Sequence, residues 1–418
     1  MSSILTNNGA MVALQTLQSI NSELDTTQRM ISTGKKIADA SDNAAIWAIS
    51  QVMESDVAGF DAISSSLALG ESTIAVGRSA AESVNELLTD IKEQVVLSSA
   101  DGADTDAIQD NIDSLRDQIT SIVSSAQFNG QNMLSNASTT AGEGQVDVLA
   151  SLDRDASGNV STTNITVQKQ DLGQGANTAG TTGTTAGGNV AVAAGASGVA
   201  VDFASATVEA GQTFDFALAG GLAAGGDIGT TGTVSYVARE GDTMADVTEQ
   251  LTARMNFEVA DQGFGDLVSF SVNPADSSQI LIQNDSANAI TIATGDANED
   301  LNGANLDGGI GGGLELLGEI DVTTANGAEA AQAAIDSLIE TAIGAAAELG
   351  TSESRLEIQA DFVSKLTDSL KSGIGSLVDT NMEEASARLQ ALQVQQQLGI
   401  QSLSIANQAP QNILSLFR

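Results

Sequence analysis

The sequence of 418 residues contains no cysteine and no histidine, and it has only one tryptophan, one tyrosine and two prolines. Histidine is the usual proton shuttle near neutral pH, and cysteine is a leading nucleophile and soft metal ligand. Their absence predicts a protein that is not an enzyme and has no catalytic residue, cofactor or bound metal. Without cysteine no disulfide forms, which by itself leaves the compartment open.

Positive charge is also scarce. Fifteen Lys and Arg residues stand against 54 Asp and Glu residues, which gives a formal charge of -39 at pH 7. This charge repels phosphate and anionic lipid, and the sequence has no basic patch to overcome it. We therefore predict no nucleic-acid partner. Membrane insertion is not predicted either, because polar or charged residues break every hydrophobic run.

The N-terminus lacks the basic residues that begin a secretory signal peptide, since the first Lys or Arg is Arg29. If the protein leaves the cell, we expect a route that needs no cleaved signal peptide.

Helical periodicity extends from residue 1 to about 134. The first predicted helix stops at residues 33–36, the second runs from about Ala44 to the break at residues 101–102, and the third spans about 104–126.

The second predicted helix is long, on the order of 80 Å at ~1.5 Å per residue, with Gly70 and Gly77 as candidate interruptions. We interpret its apolar face as core, with a direct subunit interface as the alternative. The face is formed by Ile46, Ile49, Phe60, Ile63, Leu67, Ile74, Leu87, Ile91 and Val95.

Between about 140 and 315 the pattern changes to short alternating runs. These predict strands at 164–167, 213–216, 234–237 and 279–282, with one helix at about 243–255. The Gly/Ala/Thr-rich stretch 173–198 is predicted to be a mobile loop or a weak strand region.

Two acidic loops in this zone partly match calcium-binding loops. In the first, which starts at Asp153, Asn164 stands where the bidentate Glu is required; in the second, which starts at Asp296, Leu301 replaces the required Gly. We interpret the first as a hairpin turn and the second as a solvated loop.

The helical pattern resumes at Gly327, with a break predicted near residues 373–375 and a last helix from about Asp379. This last helix carries two apolar stripes, each of which requires a partner. One stripe comprises Ala391, Val394, Leu398, Ile405 and Ala409, and the other comprises Leu389, Leu392, Leu403 and Ala406.

Both ends of the chain are uncharged. Residues 1–22 and 389–417 contain no charged side chain, yet the second segment is too rich in Gln, Asn and Ser to span a membrane. An isolated helix buries too little apolar surface to offset its ordering entropy, so we predict that the ends pair with each other and with neighbouring subunits. The predicted polymerisation interface comprises Leu14, Leu17, Leu24, Ile31, Leu392, Leu398, Leu403, Ile405, Leu414 and Leu416.

The motifs at both ends resemble bacterial flagellin, most closely its alphaproteobacterial members. The resemblance covers about 1–134 and 327–418. It is carried by residues 5–8 and 13–14, by STGKKIADASDNAA at 32–45, by residues 127–130, 375–379 and 395–399, and by SIANQAPQNILSLFR at 404–418.

This resemblance implies mainly α terminal regions, namely a long helical rod plus a terminal coiled coil, with an inserted α+β, β-rich outer domain. The predicted domains are the N-terminal coiled-coil part of the filament core (1–40), the N-terminal helical rod (41–140), the variable outer domain (141–315), the C-terminal helical rod (316–376) and the C-terminal coiled-coil part of the core (377–418).

The implied function is that of a structural subunit, exported through the type III apparatus and polymerised into an extracellular flagellar filament for swimming. Its implied partners are many copies of itself, hook-associated and cap proteins, an export chaperone and the export apparatus. The alternatives are a hook-filament junction protein and a surface adhesin. The ending at 409–416 favours a filament subunit, and an adhesin alone would not need two uncharged helical ends.

The resemblance also assigns roles to two groups of residues. The family's C-terminal helix lines a central channel, for which the neutral Gln393, Gln397 and Gln401 are candidates. Where many flagellins present an Arg, a Leu and a Glu to the animal flagellin receptor, this sequence has Asp90, Gln94 and Asn111. We predict weak or no receptor activation, because charge reversal at a contact is costly.

Overall fold

The computed structural model describes residues 7–155, 158–178, 190–203, 208–223, 226–228, 234–296 and 310–416, with the backbone alone for 217–223, 226–228, 293–296 and 409–416. The helices are α1 (Asn8–Thr33), α2 (Ala44–Ser98), α3 (Thr105–Ser125), α4 (Met244–Asp261), α5 (Ala325–Val378) and α6 (Met382–Leu416), with a 3₁₀ turn at Glu315–Gly318. Among the described residues, no helix is both long and apolar enough to cross a membrane.

The strands lie between α3 and α5. They are β1 (Gln127–Phe128), β2 (Gln131–Asn132), β3 (Gln145–Arg154), β4 (Val160–Gln168), β5 (Val190–Val192), β6 (Ala196–Asp202), β7 (Thr213–Ala223), β8 (Gly226–Ile228), β9 (Val234–Val237), β10 (Val268–Val272), β11 (Gln279–Asn284) and β12 (Ile290–Asp296). Helical terminal regions thus flank a strand-rich middle that contains one helix, and the predicted fold class is confirmed.

The chain divides into two compact units. The first comprises Met1–Ser64 and Asp361–Arg418, and the second comprises Ser65–Ala360. Helices α2 and α5 contribute residues to both.

In the first unit, α1 and α6 pack against each other. Helix α1 begins where the Asn7 side chain accepts a hydrogen bond from the Ala10 N–H, at 3.1 Å, and it ends at Gly34, whose φ of 70° is left-handed. The stop predicted at 33–36 is confirmed.

The two segments that connect these helices to α2 and α5 meet in an isolated antiparallel bridge between Lys35 and Asp379. The Thr380 N–H donates to the Gly34 carbonyl at 2.9 Å, and the Lys36 N–H donates to the Val378 carbonyl at 2.6 Å. The bridge therefore holds together the point where α1 ends and the point where α5 gives way to α6.

The break predicted near residues 373–375 is wrong, since α5 continues to Val378. A Cβ on Gly373 would lie 3.3 Å from the Met53 Cε. This glycine thus permits a close approach of α2 to α5 rather than ending the helix, and the break falls at the bridge.

In the second unit, α2 passes Gly70 and Gly77 without interruption. A Cβ on Gly70 would lie 2.7 Å from Val148 Cγ2 of β3, and one on Gly77 would lie 2.8 Å from the Met133 Cβ. These glycines are places where other segments lie directly on the helix backbone.

Most of the predicted apolar face of α2 is buried, as Phe60, Leu67, Ile74 and Ile91 illustrate. Ile49 is an exception: 54% of it is exposed, so its assignment to the core is wrong.

The inserted region of the second unit contains a three-stranded sheet, in the order β10-β11-β6, and a second sheet in the order β5-β12-β7-β8, with β9 also paired to β7. Helix α4 begins with a capping box between Thr243 and Asp246 and extends beyond its predicted end, because Phe257 and Val259 are buried. The shared core of sheets and helix includes Phe203, Phe214, Phe216, Tyr236, Leu251, Met255, Phe270, Ile280 and Ile282.

The four predicted strands are confirmed within β4, β7, β9 and β11. The predicted hairpin turn joins β3 to β4, where the Gly158 N–H donates to the Asp155 carbonyl. The low-complexity stretch contains β5 and the start of β6, whereas its residues 179–189 lie outside the described residues, as does most of the second acidic loop.

Candidate self-assembly surface

Helices α1 and α6 meet along a seam in which residues recur at alternating spacings of three and four, the pattern of a coiled coil. All seam residues are buried or half-buried. On α1 they are Ala10, Ala13, Leu17, Ile20, Leu24, Thr27 and Ile31, and on α6 they are Ala385, Leu389, Leu392, Gln396, Gly399, Leu403 and Ala406.

Specific contacts fix the antiparallel direction of this pair. Near the start of α1, Asn7 Nδ2 donates to the Ala406 carbonyl at 2.8 Å. In the middle, Gln396 Nε2 donates to Asn21 Oδ1 at 2.7 Å. A Cβ on Gly399 would lie 3.0 Å from Leu17 Cδ1, so the Leu17 side chain fills a notch in α6.

A second apolar stripe runs along α6 away from the seam. Val394, Leu398 and Ile405 are 56%, 56% and 68% exposed. At about 100° per residue, this stripe is roughly opposite the seam. Helix α6 therefore has one apolar stripe covered by α1 and another that remains exposed.

The predicted channel-lining residues are all exposed on α6. Gln393 and Gln397 lie on a polar face between the seam and the second stripe, whereas Gln401 falls in line with the second stripe, midway between Leu398 and Ile405.

The structure separates the predicted interface residues into distinct groups. Those in the seam are Leu17, Leu24, Ile31, Leu392 and Leu403. Leu14, Leu398 and Ile405 are exposed. Leu414 and Leu416 belong to α6, but their side chains lie outside the described residues.

Our sequence reasoning missed three residues of the helix pair, Asn21, Gln396 and Gly399. A search for apolar stripes selects neither amide side chains nor glycines. The strict spacing of three and four along 385–406 is the signal that would have placed Gln396 and Gly399 in the seam.

The three receptor-patch positions lie in the second unit. Asp90 is exposed on α2, Gln94 on the same helix is half-buried, and Asn111 is exposed on α3. Their predicted role stays a prediction.

The second unit also contains a buried polar network. Tyr236 Oη donates to Asp242 Oδ2 at 2.5 Å and accepts from Arg239 Nη1 at 2.8 Å, while Arg239 Nη2 donates to the Gly311 carbonyl. Burial raises the pKa of the Tyr236 hydroxyl well above its ordinary value. The network ties β9 and the start of α4 to the segment that leads into α5.

A cavity of about 500 Å³ adjoins this network, lined on one side by Glu249 of α4 and on the other by Glu340 and Glu348 of α5. Burial, followed by repulsion from Glu340, raises the pKa of Glu249. Within the described ranges, no group of acidic side chains has the arrangement to hold a metal ion.

Comparison with known proteins finds a family model that matches each end of the chain. Residues 4–140 match the model of the bacterial flagellin N-terminal helical region, and residues 332–417 match that of the bacterial flagellin C-terminal helical region.

Full-length relatives extend this match. Flagellin A of Rhizobium meliloti is 36% identical over 437 residues, and flagellin B of the same organism is 35% identical over 429; in both cases the alignment covers 100% of each chain. The predicted resemblance to alphaproteobacterial flagellins is thus confirmed.

Among solved structures, the one described as FliC from Burkholderia pseudomallei is 18% identical, covering 68% of this chain and 99% of that one. The TM-score is 0.31.

Proposed function

This chain belongs to the bacterial flagellin family, the structural subunits of the flagellar filament, and we propose that the second stripe of α6 is a surface through which its copies contact one another. The observation that carries the proposal is the exposure of Val394, Leu398 and Ile405 on the side of α6 away from the seam, which α1 already fills. Within the part of the chain that the structure describes, these three side chains remain exposed, and we propose that another copy of the chain covers them.

The energetics favour this assignment. Burying one such side chain contributes about 1.5–3 kcal/mol relative to leaving it exposed. Because residues 389–417 carry no charged side chain, the helix can be buried between subunits without the cost of removing charges from water. In a polymer each subunit makes the same contact, so a modest free energy per contact stabilises every subunit of the polymer.

The polar face of α6 has a separate proposed role, that of lining a central channel. Neutral Gln393 and Gln397 can be wetted without forming ion pairs with a chain passing through. Gln397→Lys is expected to assemble yet to slow filament growth, and growth at the wild-type rate would count against the channel assignment. Gln401 belongs to the second stripe instead, so a charge there is expected to impair assembly.

We further propose that the chain acts outside the cell as a purely structural protein, divided at 1–40, 41–140, 141–315, 316–376 and 377–418. The family match supports export through the type III apparatus with a chaperone, and contacts with hook-associated and cap proteins. The absence of His and Cys from the sequence supports the lack of catalysis.

Full-length similarity to named flagellins supports a filament subunit over a hook-filament junction protein. A junction protein would form a single ring, whereas a filament subunit extends without limit. The length distribution of polymers grown from purified protein separates the two.

The test of the assembly surface is a pair of matched charge substitutions. Leu398→Asp places a carboxylate in the second stripe and should abolish filaments seen by electron microscopy, as should removal of residues 389–418. Gln395→Asp adds the same charge at an exposed position outside both the stripe and the seam, and should leave assembly intact. Filaments from Leu398→Asp at the wild-type critical concentration would refute the proposal.

A further inference from the structure

We propose that two contacts between α1 and α6, the hydrogen bond from Gln396 to Asn21 and the seat of Leu17 against Gly399, set the register in which the two ends of the chain pair. The proposal rests on the assembly role of α6, because the register decides where the second stripe lies relative to the rest of the subunit.

The apolar part of the seam does not define its own register. Its residues are almost all Ala, Leu and Ile at heptad spacing on both helices. A shift of seven residues would therefore still place apolar side chains opposite apolar side chains. In coiled coils, a polar residue in the seam supplies the missing selectivity, at some expense of stability.

The amide pair is such a polar layer. In the observed register Gln396 Nε2 and Asn21 Oδ1 are 2.7 Å apart. A shift of one heptad in either direction would put Asn21 opposite Leu389 or Leu403. Its half-buried amide would then lose its side-chain partner, and an unmet polar group is disfavoured by more than a made bond contributes.

Gly399 adds a steric selection next to this layer. Leu17 Cδ1 already lies 3.0 Å from the place where a Cβ would be. After a shift of one heptad, Leu17 would meet Leu392 or Ala406, both of which have a Cβ. Only the observed register offers Leu17 a notch.

The bridge between Lys35 and Asp379 is the competing explanation. It joins the connecting segments at one end of the pair through backbone groups. If the bridge alone set the register, changing the side chains of the amide pair would have no effect on it.

Disulfide reporters can read the register directly, because the natural sequence has no cysteine. A Cβ on Gly9 would lie 3.9 Å from the Ala406 Cβ, a separation suited to a disulfide. The pair Gly9→Cys with Ala406→Cys therefore reports the native register. Thr16 is one heptad beyond Gly9, so Thr16→Cys with Ala406→Cys reports a shifted one.

The experiment combines each reporter with Asn21→Leu/Gln396→Leu in the full chain and oxidises under polymerising conditions. Without the leucines, only the native reporter should close within a chain. With them, we expect the shifted reporter to close at least five-fold more. The same reporters in Gln18→Leu/Gln395→Leu, which alters two exposed amides outside the seam, should behave as the natural sequence does.

Two further variants test whether the amide pair and the glycine notch are the cause of any change in the crosslinks. Asn21→Gln/Gln396→Asn exchanges the amides and should preserve the native register, whereas Gly399→Ala should increase the shifted crosslink. An unchanged crosslink pattern in both the leucine variant and Gly399→Ala would overturn the inference. If the native reporter closes as expected while Leu398→Asp chains still form filaments at the wild-type critical concentration, the assembly proposal is at fault rather than the register.

Discussion

The Tyr236 hydroxyl and the Asp242 carboxylate are 2.5 Å apart, joined by a hydrogen bond within the buried network of the inserted region. Burial raises the pKa of both groups, although the positive charge of nearby Arg239 lowers the pKa of each. The hydroxyl therefore remains protonated and donates to Asp242 across the physiological pH range.

Tyr236→Phe removes this donor and also the acceptor of the Arg239 Nη1–H. We expect a loss of about 1–3 kcal/mol, since buried partners are left unmet. Thermal unfolding followed by circular dichroism measures the loss, and filaments of Tyr236→Phe seen by electron microscopy should be preserved because no residue of the network belongs to α1 or α6. A melting temperature equal to that of the natural protein would contradict the prediction.

Gly70→Ala should destabilise the second unit. The added methyl would lie 2.7 Å from Val148 Cγ2 and 3.3 Å from Leu356 Cδ1, so both segments would have to move, at an expected loss of about 1–3 kcal/mol. Val148→Ala in the same chain should recover part of that loss by making room.

Gly344→Ala is the matched control. Nothing lies within 4 Å of a Cβ at this position of α5, so alanine should stabilise the helix by up to about 1 kcal/mol. Chemical denaturation of all three variants tests the contrast, and equal effects at Gly70 and Gly344 would show that close packing is not the cause.

Acidification should remove the free-energy cost of keeping the Glu249 carboxylate ionised in the folded state. Its pKa is raised above 4.5 by burial and by Glu340, so the folded state holds the proton more tightly than the unfolded state does. The folded state therefore loses stability as the pH rises from the unfolded pKa through the folded one, and this loss is absent below about pH 4.

Glu249→Gln should accordingly raise the melting temperature at pH 7, by on the order of 1–2 °C, and change it little at pH 4. Glu357→Gln, at an exposed position of α5, serves as the control for the change in net charge. A gain of equal size at both pH values would show that repulsion of the ionised group is not the reason.

Receptor activation should be weak or absent, because the predicted alignment puts Asp90, Gln94 and Asn111 where the receptor patch of the family has Arg, Leu and Glu. Asp90 is exposed on α2, so its charge faces any approaching protein. A reporter-cell assay of purified monomer is the measurement, with an enterobacterial flagellin as the positive control. A response equal to that control would disprove the prediction, whereas Asp90→Arg/Gln94→Leu/Asn111→Glu should raise the response.

Local structure was largely predictable from the sequence. Gly34 ends α1 because its left-handed conformation is one that other residues avoid. The capping pair at Thr243 and Asp246 marks the start of α4, and alternating apolar residues locate the strands. Each of these signals acts over a few neighbouring residues, so it can be read without knowing the partner.

Helix breaks were predicted wrongly at glycines that serve tertiary packing rather than backbone conformation. Gly70, Gly77 and Gly373 read as helix breaks, yet each lies inside a continuous helix and admits a side chain from elsewhere. Sequence cannot distinguish a glycine needed for backbone conformation from one needed for close packing, because the second requirement comes from a residue distant in the chain.

The sequence by itself determined that this protein has two uncharged amphipathic ends, that these ends need partners, and that an acidic, strand-rich region separates them. Only the tertiary structure decided which stripe of α6 pairs with α1 and which stays exposed. The reason is that both stripes are apolar at helical spacing, whereas the Asn21–Gln396 bond and the Leu17–Gly399 contact depend on two segments more than 370 residues apart in the chain.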